Sequence, residues 1–213
     1  MNIADRFTLS RIVLSPVFFL VYFLPAWSNV SPSLTVWVMI PLLAFMEFTD
    51  FLDGFFARKL KQVSDFGKLF DPFADVLVHL TTFCCLVISG YMPGIVFMLI
   101  LYREFCMNFI RMMAIQKGVA IGARKGGKFK TVLYVITTFY CILMESCVRL
   151  EIDVSGILGG LDIGRVILIV LCLIAAYASF TDYLVHFGSL IKADKKKKFS
   201  KKTRSVLDNM CSM

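Results

Sequence analysis

Histidine, paired cysteines and long polar segments are scarce in this sequence. It contains only two histidines, and its seven cysteines form no CxxC pair and no other spacing typical of a metal site. We therefore interpret the cysteines as small apolar packing residues in a reducing environment. Cysteine-based metal chemistry has no support in this pattern.

Apolar residues are abundant instead. They make up 58% of the 213 residues, and the mean hydropathy is +0.77, whereas soluble domains are about 45–50% apolar. This composition predicts an integral membrane protein with one helical bundle and no separate soluble domain. We predict a membrane domain at residues 1–191 and a basic cytoplasmic tail at residues 192–213.

Six apolar runs are long enough to cross a hydrocarbon core, which takes about 20 helical residues. They lie near residues 12–27, 34–56, 72–90, 94–113, 131–150 and 163–186. No small-residue cleavage site follows the first run, so we interpret it as a spanning helix and not as a secretory signal. The predicted fold is all-α, with six transmembrane helices and a short amphipathic helix at the interface over residues 2–11.

The basic residues predict the orientation of the bundle. Of 23 lysines and arginines, only Arg149 and Arg165 fall on one predicted side. The positive-inside rule then places both termini in the cytoplasm. The tail could also attract anionic lipid, at about 1 kcal/mol per basic residue near the surface, although a plain topological role explains its charge equally well.

Carboxylates interrupt the apolar pattern between the second and third runs. Asp50 and Asp53 are three residues apart and share one helix face, as do Asp71 and Asp75, which are four apart. The two pairs can converge, and several carboxylates at membrane depth require a cation between them. Oxygen ligands without histidine or cysteine favour Mg²⁺ or Mn²⁺, and two such ions could hold a diphosphate.

The residues around the carboxylates suit a nucleotide. Gly54 removes a side chain where a nucleotide could lie against the helix, and Gly67 loosens the connection between the pairs. Ala57, one turn after Gly54, has a small side chain and leaves room on the same helix face. Arg58 offers a partner for phosphate. His79 follows Asp75 by one helical turn and could support it, but packing is the simpler interpretation.

These residues form the pattern D-x2-D-G-x2-A-R-x8-G-x3-D-x3-D over residues 50–75. The pattern resembles, at all eight fixed positions, the signature of the CDP-alcohol phosphatidyltransferase family. The resemblance implies a six-helix membrane fold, usually a homodimer, and release of CMP from a CDP-linked donor. It also implies that all four aspartates hold metal and that Asp75 is in addition the general base.

The resemblance extends to the beginning of the chain and to residues 103–131. Both segments are similar to bacterial phosphatidylglycerophosphate synthases, including the element Gly127-Lys128-Phe129-Lys130-Thr131. This likeness implies a bacterial cytoplasmic membrane location, with the active site on the cytoplasmic side. The residues expected to bind the nucleotide or donor are Thr8, Arg11, Asp50, Gly54, Ala57, Arg58, Asp65 and Gly67.

The basic residues within residues 103–131 predict a pocket for an acceptor phosphate. Glu104, Asn108 and Arg111 lie near one stripe of the fourth predicted helix, with Arg103 within reach of the same side. Lys128 and Lys130 enter from the next helix and complete the predicted set: Arg103, Arg111, Lys128 and Lys130. Alternatively, these cations are ordinary anchors on the cytoplasmic side.

The expected activity is transfer of a phosphatidyl group from CDP-diacylglycerol to sn-glycerol 3-phosphate. Val76 replaces the lysine that commonly follows the fourth aspartate in such synthases, so inositol phosphate, serine or choline remains an alternative acceptor. A cation or proton transporter is the alternative from another class, because it too would place carboxylates in the membrane. A transporter would not require Gly54, Ala57 and Arg58.

Overall fold

The computed structural model describes residues 3–60, 65–116, 125–153 and 156–211, with side chains for 6–50, 52, 70–114, 126–153 and 156–185. The described residues form six helices and no strand. The helices are α1 (Ile3–Trp27), α2 (Pro32–Leu60), α3 (Asp65–Ile88), α4 (Gly94–Gln116), α5 (Lys125–Arg149) and α6 (Leu158–Cys211). The prediction of an all-α membrane protein is confirmed.

Five of these helices are long and apolar enough to cross a membrane, among the residues that could be searched. The exception is α4, which carries three charged residues, Arg103, Glu104 and Arg111. Its 23 residues still span roughly 35 Å at the rise of an α-helix. Arg103 and Glu104 are buried against other helices and do not face lipid, so α4 is the sixth member of the bundle.

The N-terminal segment differs from the prediction. Residues 2–11 were expected to form a separate interfacial helix, but α1 runs without a break from Ile3 to Trp27. The hydroxyls of Ser10 and Ser15 donate to backbone carbonyls one turn earlier in the same helix, which is compatible with a continuous α1. No glycine or proline separates the two predicted pieces, because Pro16 comes only after the join.

Helix α1 lies at the centre of the N-terminal half. Among the described residues, it packs closely against both α2 and α3, which contact each other much less. Buried side chains such as Phe18, Met39, Leu43 and Phe83 form the core of this half. Helix α5 then joins the two halves, because it packs against α2 and α3 as well as α6.

The two isolated arginines lie at the end of the bundle where α1, α3 and α5 finish. Arg149 contacts Glu145 at 2.7 Å, donates to Thr35 and lies 4.5 Å from the ring centre of Tyr22. Arg165 donates to the backbone carbonyl of Tyr91 at 2.5 Å. Asp50 lies in the second half of α2, and Asp71 lies near the start of α3. The carboxylates are therefore nearer the other end of the bundle from Arg149 and Arg165.

Helix α6 continues to Cys211. Its apolar part covers Leu158–Val185, and the predicted boundary at residue 191 falls inside the helix, not at a break. The division into a membrane domain and a basic tail remains a prediction.

Candidate active site

One arginine of α1 connects three carboxylates from two other helices. The Arg11 guanidinium donates to Asp50 at 2.5 Å and to Asp71 at 2.6 Å, and it also bonds Asp75. Arg11 is only 1% exposed, while the three aspartates are partly open to the surroundings. This position follows from the fold, because α1 lies between α2 and α3.

The three carboxylates fit a divalent cation. One oxygen from each of Asp50, Asp71 and Asp75 lies within 4.8 Å of the others. A single guanidinium charge cannot neutralise three ionised carboxylates in a partly buried site, so the group attracts further positive charge. A set made only of carboxylate oxygens suits Mg²⁺ or Mn²⁺. The chemistry and spacing of these residues therefore fit a divalent-metal centre.

For the other members of the pattern, the structure describes the backbone and not the side chains. Asp53, Gly54, Ala57 and Arg58 fall within the last turns of α2, after Asp50. Asp65 and Gly67 open α3. Their side chains lie outside the described set, so the roles predicted for them remain predictions.

Thr8 lies one turn before Arg11 on α1 and is 2% exposed. It is therefore buried on the same side of the helix as the cluster arginine. Donor binding by Thr8 and Arg11 stays a prediction. The structure shows, in addition, that Arg11 contacts the carboxylates.

A second buried polar group is centred on Glu104. One oxygen of Glu104 accepts hydrogen bonds from Arg103 at 2.9 Å, Lys130 at 2.8 Å and Tyr134 at 3.0 Å. Arg103 also donates to the Ala176 carbonyl at 3.0 Å and to the Ser179 hydroxyl at 2.6 Å. The group therefore links α4, α5 and α6.

This arrangement gives Arg103 and Lys130 a different setting from the one predicted. Both belong to the predicted acceptor-phosphate pocket, but they are 4% and 9% exposed and bond to Glu104. Their charges hold helices together in this structure. Direct contact of either residue with a phosphate stays a prediction.

The remaining predicted acceptor residues are more open. Arg111 is partly exposed and lies on α4 seven residues after Glu104, which places it on the same face of the helix, about two turns nearer the C-terminal end. Lys128 is exposed near the beginning of α5, and Asn108 is partly buried on α4.

Sequence reasoning missed several polar residues near these groups. Tyr134 and Ser179 bond to the buried charges of α4, and Glu47 lies one turn before Asp50 on α2. An acidic residue inside an apolar run was a usable signal for Glu47. Tyr134 and Ser179 carried no such signal, since their partners depend on which helices are neighbours in space.

Comparison with known proteins bears directly on this site. The model of the family "CDP-alcohol phosphatidyltransferase" matches residues 1–175, which include the carboxylate cluster and the second polar group apart from its α6 contacts. The chain belongs to this family. It is a membrane-embedded transferase, and divalent-metal dependence is general to the family.

Curated relatives align over much of the chain. A CDP-diacylglycerol--glycerol-3-phosphate 3-phosphatidyltransferase of Treponema pallidum is 36% identical over 206 residues, covering 90% of this chain and 92% of that protein. A protein of the same name from Bacillus subtilis is 31% identical over 148 residues, covering 67% and 77%. A probable phosphatidylglycerophosphate synthase of Mycobacterium tuberculosis is 35% identical over 130 residues, covering 61% and 60%.

Proposed function

We propose that this protein transfers the phosphatidyl group of CDP-diacylglycerol to sn-glycerol 3-phosphate, giving phosphatidylglycerophosphate and CMP. The observation that carries the proposal is a cluster of three carboxylates in a chain similar over nine-tenths of its length to a transferase of that name. Arg111, a partly exposed cation on the same face of α4 as Glu104, supports an acceptor that carries a phosphate.

The proposed metal centre uses Asp50, Asp53, Asp71 and Asp75 to hold Mg²⁺ or Mn²⁺, with two ions as the expected number. Bound ions would offset the negative charge of the donor diphosphate. Bound cations would share with Arg11 the neutralisation of the three carboxylates, and we propose that Arg11 then contributes to donor binding. Thr8, Gly54, Ala57, Arg58, Asp65 and Gly67 are proposed to complete the donor site.

Asp75 is proposed as the general base. The acceptor hydroxyl oxygen forms a bond to the lipid-bearing phosphorus of the donor, its proton passes to Asp75, and the bond from that phosphorus to the CMP oxygen breaks. CMP leaves with the electron pair of the broken bond. Asp75 suits this role because its carboxylate belongs to the cluster and its side chain is one-third exposed.

The acceptor phosphate is proposed to bind Arg111 and Lys128, which are the more exposed cations of the predicted set. Arg103 and Lys130 would support them through Glu104, which fixes α4 against α5. An acceptor without a phosphate, such as serine or choline, would offer Arg111 and Lys128 no phosphate to bind.

The test is an acceptor comparison with purified protein in detergent. CDP-diacylglycerol is offered with sn-glycerol 3-phosphate, inositol phosphate, glycerol, serine or choline, and CMP and the lipid product are identified by mass. We expect phosphatidylglycerophosphate from sn-glycerol 3-phosphate and little CMP from the alcohols without phosphate. A faster reaction with inositol phosphate would change the proposed acceptor but leave the assignment as a transferase intact.

We further propose a homodimer in the bacterial cytoplasmic membrane, with both termini and the active site facing the cytoplasm. The charge distribution supports this orientation, since Arg149 and Arg165 lie at the end of the bundle opposite the carboxylates. The acceptor is water-soluble and made in the cytoplasm, which is consistent with the same orientation.

A further inference from the structure

A buried polar pair lies one helical turn from the carboxylate cluster, deeper in the bundle. Glu47 comes three residues before Asp50 on α2, and His79 comes four residues after Asp75 on α3. Each therefore shares a helix face with a cluster aspartate. Both belong to membrane-spanning segments, where an ionisable side chain has to be explained by its partner or its function.

The two side chains face each other without a hydrogen bond. Glu47 Oε1 and His79 Nδ1 are 3.8 Å apart, and their side chains are only 15% and 8% exposed. Neither atom has a hydrogen-bond partner among the described residues. Buried polar atoms are rarely left in this state, and a relative displacement of the two side chains by about 1 Å would bring the atoms within hydrogen-bonding distance.

The pair lies where α2 and α3 approach each other. Among the described residues, both helices pack mainly against α1. Arg11 joins their carboxylates on the side of α1, whereas Glu47 and His79 approach each other deeper in the bundle. His79 is held in place by Tyr134 of α5, whose ring meets it edge-on at 5.5 Å.

We propose that Glu47 and His79 form a positioning pair that couples α2 to α3 and sets the separation of Asp50 and Asp75. The inference rests on the proposed use of these aspartates as a metal centre. Mg²⁺ requires near-ideal octahedral geometry, so a small change in the distance between α2 and α3 alters metal affinity. The pair touches neither donor nor acceptor in this account and acts through the aspartates.

The test separates positioning from stability with a double-mutant cycle. The variants are Glu47→Leu, His79→Leu, the double variant and Glu47→Gln, and each is measured for Mn²⁺ affinity by electron paramagnetic resonance without substrates. Unfolding temperature, kcat and the KM for sn-glycerol 3-phosphate are measured alongside. Thr138→Val is the matched control, because it also removes a buried hydroxyl that has no partner among the described residues.

Each leucine variant is expected to weaken Mn²⁺ binding at least fivefold and to lower kcat, with the KM for sn-glycerol 3-phosphate unchanged. The double variant should recover unfolding temperature, since replacing both partners leaves no unpaired polar atom, but its Mn²⁺ affinity should stay low. Glu47→Gln keeps a hydrogen-bonding group and should stay within twofold of wild type, as should Thr138→Val.

Two results would overturn the positioning role. One is wild-type Mn²⁺ affinity in either leucine variant, and the other is a double variant that recovers affinity together with unfolding temperature, which would make the pair a packing feature. Failure of the wild-type protein to bind Mn²⁺ would instead overturn the metal centre itself, and this inference with it.

Discussion

Arg11 and the three aspartates around it define the chemistry at the scale of single residues. The guanidinium bonds to Asp50, Asp71 and Asp75 at once, so the carboxylates are already gathered at one point. A divalent ion therefore requires no large rearrangement of α2 and α3. The residues of this cluster should separate into two classes when substituted, according to whether they bind metal only or also move the proton.

Asp75→Asn should abolish nearly all turnover while metal-dependent donor binding persists. The amide cannot accept the proton of the attacking hydroxyl, but two other described carboxylates remain to hold metal. Single-turnover CMP release and equilibrium binding of CDP-diacylglycerol measure the two properties. Asp50→Ala is the comparison, because it should weaken donor binding itself. A rate of one-third of wild type in Asp75→Asn would rule out Asp75 as the base.

Arg111→Ala should raise the KM for sn-glycerol 3-phosphate at least tenfold, which is about 1.4 kcal/mol of lost binding. The KM for CDP-diacylglycerol should change little, because Arg111 is proposed to contact the acceptor alone. Initial rates over a range of each substrate supply both constants. Arg165→Ala removes a charge at the opposite end of the bundle and should leave both unchanged. An equal rise of the two KM values would argue against an acceptor site at Arg111.

At the scale of helices, Glu104 connects α4 to α5, and its partner Arg103 connects α4 to α6. It accepts from Arg103 and Lys130, so the two cations that looked available for phosphate in the sequence are partnered in the fold. The sequence could predict that Glu104 and Arg111 share a helix face, because that depends only on helical spacing. It could not predict the contacts of Arg103 with Ala176 and Ser179, which require knowing that α4 packs against α6.

Glu104→Leu should lower the stability of the bundle by about 3–5 kcal/mol, because it leaves two buried cations without their carboxylate. Tyr134→Phe removes one hydrogen bond to the same oxygen and should lower stability by about 1 kcal/mol. Thermal or denaturant unfolding in detergent measures both variants against wild type. Similar, small losses in the two would mean that Glu104 is not the centre of this group.

The carboxylate cluster was predictable for a local reason. Spacings of three and four residues place each pair on one helix face, and apolar runs on both sides predict α2 and α3. The continuity of α1 was not predictable in the same way, since an amphipathic leader and the first turns of a long helix have the same composition. The pairing of Glu47 with His79 depends on the approach of two helices and has no counterpart in local spacing.

The whole molecule has two chemically different ends. The carboxylates, Arg11 and Arg111 lie at one end, and Arg149 and Arg165 lie at the other with their own partners. This separation leads to a definite orientation under the positive-inside rule. In the proposed orientation, an acceptor from the cytoplasm would reach the cluster without crossing the membrane.

Single-cysteine labelling in intact cells tests this orientation. A cysteine at Ser31 should react with an impermeant reagent added outside, because it lies between α1 and α2 at the end opposite the carboxylates. A cysteine at Ser200 should react only after the membrane is opened. The background protein should lack its native cysteines, since Cys106 is exposed. Outside labelling of the Ser200 variant would contradict the proposed orientation.

The central claim is that the cluster of Asp50, Asp71 and Asp75 is a divalent-metal centre for phosphatidyl transfer to a phosphorylated acceptor. Its most direct test is CMP release from CDP-diacylglycerol by metal-free protein, with Mg²⁺ or Mn²⁺ added back in the presence of sn-glycerol 3-phosphate or of glycerol. The account predicts no release without metal, full recovery when metal and sn-glycerol 3-phosphate are both present, and little release with glycerol. Release that persists in chelator, or that is equal for the two acceptors, would contradict it.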